Sequence, residues 1–466
     1  MMRLTAMAAT SVFLAGCASF SADGGLDKVS ELTKERTGLD VAVQRPDGDR
    51  QAAERRVAEL LEQPLTAEAA VEVALLHNCG LQAKLGELGI AEADYVRAGR
   101  LPNPVFSFGR ISGSGNVEID RSVLFNVLGL LTLPVASEVG QHRFEQAQFQ
   151  AASDAVGLAA TVRRAYFDAV AAQELLKFYQ QVKETADAAN ELAKRMLQAG
   201  NFSRLTQMRE QAFYADAAAQ LARAQHQATA DRERLTRLLG LSGEQVSIRL
   251  PDRLPELPRQ PAEPRNAEGT AMEKRLDVLI AKRNTEAAAK SLGLTKATRF
   301  INVLAVGYQN KSETGLPRSD GYEIELELPL FDFGATRAAR AEATYMRAVN
   351  RTAEVAVNAR SEVCESYSAY RTAYEVARHY RDEVVPLRKR ISEENLLRYN
   401  GMLISVFELL ADAREQVAGV SGYVRALRDF WVAETNLQTA LTGGSPGASA
   451  LTQPAASTSA ASAEAD

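Results

Sequence analysis

Two stretches of this chain hold a helical pattern for far longer than a globular domain needs. The first runs from just after Pro134 to Gly200 without a proline. At ~1.5 Å per residue its roughly 60 residues span about 90 Å. Val162, Ala165, Ala169, Ala172, Leu176, Tyr179, Lys183, Ala186, Asn190, Ala193 and Leu197 follow alternate three- and four-residue steps and are mostly small or apolar. That spacing predicts a coiled-coil seam whose alanines let helices approach closely. The second stretch starts after Pro329 and is expected to run unbroken to Gly401.

Both stretches end alike. Gly200 is followed by Asn201, Phe202 and Ser203, and Gly401 by Met402, Leu403, Ile404 and Ser405, before a return helix begins in each case (about Ser203 to Leu239, and Ile404 to Leu441). Glycine just past a helix end accepts the left-handed conformation that reverses the chain, so each site predicts the tip of a long antiparallel hairpin. The tips lie 401 − 200 = 201 residues apart, the prolines 329 − 134 = 195, and the ends of the return helices 441 − 239 = 202. Three landmarks at nearly one spacing indicate an internal duplication.

Each half also carries a shorter helix and two strand candidates. In the first half, Thr66 caps a helix whose expected apolar face is Ala69, Ala70, Val73, Ala74 and Leu76, and helical pattern resumes from Leu81 to about Ala98. Prolines 102 and 104 then end it, and strands are expected at Val105–Ile111 and Val117–Val127 around the turn Ser112–Asn116. In the second half a helix is expected from Ala267 to Thr298, then strands at Phe300–Tyr308 and Gly321–Leu328 joined by a loop, Gln309–Asp320. The last strand alternates Tyr322, Ile324, Leu326 and Leu328 with Glu323, Glu325 and Glu327. The resulting divisions are 1–16 signal peptide, 17–63 leader with some helix around Gln51–Glu62, 64–242 first repeat, 243–266 proline-rich connector, 267–442 second repeat and 443–466 low-complexity tail.

Strands of this length cross a membrane when tilted, and their apolar and charged faces suit lipid on one side and water on the other. Four strands cannot close a barrel, and open edges are not tolerated in lipid, so other copies of the chain must complete them. Three copies give twelve strands. On the strands alone, a small soluble sheet packed on a helix is an equal alternative. The chain's N-terminus, with Arg3, a short apolar run and Leu14-Ala15-Gly16-Cys17, has the layout of a bacterial lipoprotein signal, which implies acylation of Cys17, and Ala18 after it implies the outer membrane. No later stretch is apolar for long enough to make a transmembrane helix. The mixed charge, −5 overall, leaves no basic stripe for nucleic acid. Cys79 and Cys364 are read as separate packed thiols. The four histidines lack partners at ligand or catalytic spacing, so no metal, cofactor or enzymatic centre is expected.

Leu65–Asn78, Leu88–Pro104, Leu326–Gly334 and Arg398–Gln416 together, duplicated in this order over roughly residues 64–442, resemble the TolC-type outer-membrane efflux family. The resemblance implies a mainly α fold with a membrane β-barrel: a homotrimer whose four strands per protomer complete a twelve-stranded barrel, continuous with a periplasmic tunnel of helical hairpins. It further implies a passive duct that docks onto a periplasmic adaptor protein and an inner-membrane pump. A lipid-anchored periplasmic coiled-coil scaffold without a pore is the alternative. This sequence departs from the family pattern in three places. Cys79-Gly80 stands where Asn-Pro is usual, no counterpart of Leu330–Gly334 follows Pro134, where Val135-Ala136-Ser137-Glu138 stands, and the second tip has one residue more than the first.

Residues 200–203 and 401–405 are expected to form adaptor-docking tips, with Phe202, Met402, Leu403 and Ile404 exposed, unless they pack between neighbouring hairpins. Glu408 matches an acidic position that lines the family's periplasmic constriction; with Asp412, and with Arg204 and Arg398 as basic partners, it forms a candidate gate, or else a solvated helix face. Glu118, Asp120, Glu323, Glu325 and Glu327 line the barrel lumen and favour cations, or merely wet its inner wall.

Overall fold

The computed structural model describes residues 19–42, 49–242 and 248–447. The leader forms α1 (Leu26–Thr37) and α2 (Asp49–Leu61). Then come α3 (Ala67–His77), α4 (Cys79–Ala98), β1 (Val105–Gly113), β2 (Asn116–Asn126), α5 (Val127–Gln198) and α6 (Arg204–Leu239). The second half contains α7 (Ala267–Lys274), α8 (Leu276–Ala297), β3 (Val303–Glu313), β4 (Ser319–Glu327), α9 (Ala335–His379), a π segment (Tyr380–Val384), α10 (Val385–Asn400) and α11 (Val406–Thr442). The described chain divides into two compact units. One comprises residues 19–29, Lys84–Ala151 and Leu276–Val357, and the other Ser30–Ala83, Ala152–Arg275 and residues 358–447.

The first unit contains a four-stranded antiparallel sheet, in the order β1-β2-β3-β4. Ser114 and Gly115, both at positive φ, make the two-residue turn between β1 and β2. The expected loop Gln309–Asp320 shrinks to residues 314–318, because β3 and β4 continue pairing as far as Lys311 and Ser319. The expected helix start after Pro134 also moves. α5 begins at Val127, where the Asn126 side chain accepts a hydrogen bond from the Gly129 amide at 2.7 Å, and it runs 72 residues with Pro134 inside. Proline there costs one ladder bond, which so long a helix tolerates.

In the second unit the Thr66 cap forms, its hydroxyl accepting from the Ala69 amide at 3.1 Å. The buried face of α3 is rotated from the expected one: Ala67, Ala70, Val71, Val73, Ala74 and Leu75 are buried, while Ala69 and Leu76 are only partly covered. The expected single helix Ala267–Thr298 breaks at Arg275, whose backbone is extended. No proline or glycine causes this break. The extended residue lets the Arg275 guanidinium, 1% exposed, reach Glu362 at 2.7 Å and the Ala440 carbonyl at 3.3 Å. A similar break at Asn78 places its amide on the Leu238 carbonyl at 2.8 Å and its oxygen under the Leu81 amide at 2.9 Å.

The second long helix is not unbroken. Pro386 has no N–H to offer, and the chain widens ahead of it into the π segment, where the Val385 amide bonds back to the Tyr380 carbonyl. Gly422 of α11 lies against the Tyr380 ring, leaving no room for a Cβ. The seam on α5 is buried at Val162, Ala165, Ala169, Ala172, Tyr179, Ala186, Asn190 and Ala193, whereas Leu176, Lys183 and Leu197 are half-buried.

From residue 248 onward the connector is held against the helices. Leu250, Leu254 and Leu257 are buried. Trp431 donates to the Pro255 carbonyl at 3.1 Å, Tyr374 to the Arg259 carbonyl at 2.7 Å, and Tyr370 accepts from the Ala262 amide at 2.8 Å. The prolines keep this segment extended, and the aromatic cluster of Tyr370, Tyr374, Phe430 and Trp431 holds it. The leader also holds more helix than expected, since α1 precedes α2.

Candidate functional site

Strand register divides the sheet into two chemically distinct faces. Phe106 pairs with Val123, Val123 with Tyr308 and Tyr308 with Tyr322; Phe125 pairs with Val306 and Val306 with Ile324; Leu304 pairs with Leu326. Directly paired residues project to the same side, so these side chains form one apolar face. It is bare: Phe106, Phe125, Tyr308, Tyr322 and Ile324 are each more than half exposed. The opposite face carries Glu118, Asp120, Glu323, Glu325 and Glu327, so all five acids singled out from the sequence project together. Glu118 pairs with Lys311, and Glu327 accepts from the Asn302 amide at 2.9 Å. Both outer strands, β1 and β4, have a free edge. The bare surface continues past β4 into Leu328, Leu330 and Phe331.

At the hairpin tips, Ser203 and Ser405 are the N-caps of the return helices, accepting from the Thr206 amide at 3.1 Å and the Glu408 amide at 3.4 Å. Gly200 adopts the left-handed conformation, φ 75°. At the second tip the left-handed residue is Met402, φ 60°, and Gly401 has an ordinary φ of −77°. The extra residue there delays the reversal by one position, and the Met402 and Leu403 amides bond to Tyr399 and Arg398 carbonyls. Of the four apolar tip residues expected to be exposed, Met402 (93%) and Leu403 (77%) are; Phe202 and Ile404 are half-buried. Leu205, Met208 and Leu397 are also bare, at 59%, 61% and 67%. Leu205 and Met208, three residues apart, share one side of α6, a spacing visible in the sequence.

Among the described residues no ion pair links the four candidate gate residues. Glu408 is exposed, Arg398 pairs with Glu394 at 3.2 Å, and Arg204 makes no ion pair among the described residues. Asp412 is 6% exposed and its Oδ2 has no hydrogen-bond partner. Helical spacing puts Asp412 on the side of α11 that carries Glu415, paired with Arg388 of α10 at 2.8 Å, and Gly419, which lies against Arg388 and Val384.

A coupling that neither local sequence announces joins the two hairpins. Arg414 of α11 binds Glu210 of α6 at 3.0 Å and stacks on Phe213 at 4.5 Å, and Glu210 is 2% exposed. Beyond it a slot of about 730 Å³ runs between α5, α6 and α11, floored by Ala172, Leu175 and Ala217. At its far end Asp168 meets Arg428 at 3.3 Å; burial nevertheless holds its carboxyl above the usual range. Burial likewise raises Glu174 and Glu434, and pushes the Tyr166 hydroxyl, which donates to the Leu65 carbonyl at 3.0 Å, up to about 12.

Cys17 lies outside the described residues. The leader just after it is docked: the Ser21 amide and hydroxyl both donate to Glu92, which is 5% exposed, at 2.6 and 2.5 Å, and Arg100 lies over the Phe20 ring at 5.9 Å. Cys79 and Cys364, expected to be packed, are instead exposed free thiols. Among the described residues no cluster of three potential metal ligands occurs, and no helix is long and apolar enough to cross a membrane.

Residues 133–241 and 269–392 match the sequence profile of the outer membrane efflux proteins. No curated protein matches the chain. Among solved structures, a membrane protein from Pseudomonas aeruginosa superposes with a TM-score of 0.70 at 20% identity, covering 83% of this chain and 92% of that one. The open state of the MtrE outer membrane channel of Neisseria gonorrhoeae gives 0.66 at 18% identity, with 80% and 88% covered. The outer membrane protein VceC of Vibrio cholerae gives 0.63 at 15%, with 84% and 97% covered. At these identities the likeness is one of fold.

Proposed function

The chain belongs to the outer membrane efflux protein family, and on that premise we propose that it is the outer-membrane duct of a tripartite export system, with three copies forming one pore. The observation that carries the proposal is the sheet in the first unit. It presents a bare apolar face and an acidic face, and leaves both edge strands unpaired. In water that face would be an aggregation hazard and the edges would template further pairing. Lipid against the apolar face, and β1 of one copy paired with β4 of the next, satisfies both. Three copies supply twelve strands, with Glu118, Asp120, Glu323, Glu325 and Glu327 turned to the lumen. A pore-less scaffold would leave the same face in water.

The remaining assignments follow from this arrangement. Cys17 carries the lipid anchor: Phe20 rests on Arg100, five residues before β1, and the three residue steps from Phe20 back to Cys17 reach at most about 11 Å, so acyl chains on Cys17 fall near the helix-side membrane surface. Residues 200–203 and 401–405 dock a periplasmic adaptor, with Met402 and Leu403 as the apolar contacts, and the adaptor links the duct to an inner-membrane pump. Glu408, facing solvent in one protomer, meets its counterparts where three tips converge, with Asp412, Arg204 and Arg398 as nearby charges. The duct has no chemistry of its own. The test is electrophoresis of the purified protein with and without heating, and flotation with lipid vesicles. A duct migrates as a heat-sensitive trimer and floats; monomer that stays with the aqueous fraction refutes it.

A further inference from the structure

Side-chain chemistry on the apolar face of the sheet changes in order from the helix end of the strands toward their turns. Leu304 and Leu326 come first, then Val306 and Ile324, and then Tyr308 and Tyr322. One row nearer the turns, Arg121 stands between Phe108 and Asn310, and Arg110 lies one row further on, opposite Ile119. Hydrocarbon, then amphipathic aromatic rings, then guanidinium is the order in which a protein surface meets acyl chains, interface and headgroups. The two arginines are therefore placed at headgroup depth with their stems on apolar neighbours.

Arg110 and Arg121 are diagonal neighbours on adjacent antiparallel strands, a relation that sets their side chains about 7–8 Å apart at the base. Two guanidinium groups at that separation can converge on one phosphate. Arg121 spends one N–H on Asn310, at 3.0 Å, and Arg110 is exposed and has no hydrogen-bond or ion-pair partner among the described residues. The one carboxylate in the row, Asp320, is already held by the Tyr308 hydroxyl at 2.7 Å and the Asn310 amide at 2.6 Å. The face thus offers uncommitted donors to an anion that arrives from the lipid side.

We propose that Arg110 and Arg121 form a lipid-facing site that binds the phosphate of an anionic lipid headgroup in the leaflet at the turn end of the strands. The site rests on the barrel proposed above and gives that barrel a lipid preference. Guanidinium suits it because its planar donors match phosphate geometry and its weak hydration lowers the cost of leaving water.

The test is reconstitution into phosphatidylcholine vesicles doped with phosphatidic acid, followed by native mass spectrometry of the lipids retained on the trimer. Wild type retains phosphatidic acid over phosphatidylcholine. Arg110→Gln and Arg121→Gln each lower that preference roughly fivefold, and Gln309→Ala on the opposite face leaves it unchanged. Arg110→Lys with Arg121→Lys keeps part of it, which separates charge from fold. A double glutamine variant that inserts as a trimer and retains phosphatidic acid like wild type overturns the site. So does equal protection against heat by inorganic phosphate in undoped vesicles, which marks a small-anion site. Trimer loss from Arg110→Gln alone assigns that arginine to the seam between copies and overturns the site as well. Wild type that fails to insert refutes the barrel, and the site with it.

Discussion

Placing a lysine at successive depths on the sheet tests whether the apolar face meets lipid. Ile324 sits in the middle row of that face, paired with Val306 and 60% exposed in the protomer. Lysine there must leave water for the bilayer interior, at a cost of about 2–4 kcal/mol per chain. Tyr322, one row nearer the turns, is near the interface, where the same charge costs roughly 0–1 kcal/mol. Glu325, adjacent in sequence to Ile324, pairs with Ala305 on the opposite face, so Glu325→Lys costs close to nothing in a wet lumen. Three copies multiply each cost about threefold, giving roughly 6–12 kcal/mol per trimer for Ile324→Lys. The assay is the temperature at which the vesicle-embedded trimer dissociates on gels. The expected order of loss is Ile324→Lys far above Tyr322→Lys, with Glu325→Lys near wild type. Equal effects of Ile324→Lys and Glu325→Lys, or a soluble and unimpaired Ile324→Lys protein, would refute the assignment of faces.

The two tips respond differently to alanine. Gly200→Ala meets no atom within 4 Å yet must hold φ 75°, so local opening of residues 196–207 becomes easier by about 1 kcal/mol, or roughly fivefold faster amide exchange. Gly401→Ala has an ordinary φ and leaves exchange at its tip unchanged or slower; equally faster exchange at both tips would show that both glycines act as left-handed residues, as the sequence first suggested. Gly422→Ala drives a Cβ to 2.7 Å from the Tyr380 ring, and the overpacking lowers stability by about 1–3 kcal/mol. Tyr380→Leu should restore most of that loss in the double variant, and additive losses in thermal midpoint would count against the contact. Burial raises the folded-state pKa of Glu434 above 4.5, so its charge weakens the fold above that folded pKa, and the penalty fades as pH falls toward the unfolded value. Glu434→Gln therefore raises the thermal midpoint at pH 7 and changes nothing below about pH 4; an equal gain at both would place the effect elsewhere.

The first long helix from Pro134 to Gly200, both return helices and all four strands were readable because each rests on a local signal: a proline-free run, a serine N-cap, or strict alternation such as Tyr322 to Glu327. The positions that escaped depend on distant partners. The break at Arg275 carries no proline or glycine; its cause is Glu362, 87 residues away. The left-handed residue at the second tip was assigned to Gly401 on composition, whereas the length of the turn puts it at Met402. The π segment ahead of Pro386 interrupts a helix expected to be unbroken, and Gly422 on the facing helix makes room for its Tyr380. The grouping of the five strand acids followed from parity alone, while the coupling of Glu210 to Arg414, which are 204 residues apart, left no trace in either local sequence. Asp412, one helical turn from the exposed Glu408, is buried, and nothing in its local sequence marks the difference.

Conductance across a planar bilayer is the most direct measurement of the pore itself, made on purified lipidated trimer, wild type beside a variant carrying Glu323→Gln, Glu325→Gln and Glu327→Gln. A duct gives discrete conductance steps, with a cation preference that weakens when the three acids are neutralised. A folded, inserted trimer that gives no steps even after both hairpins are shortened at Gly200 and Gly401 would contradict the existence of a pore.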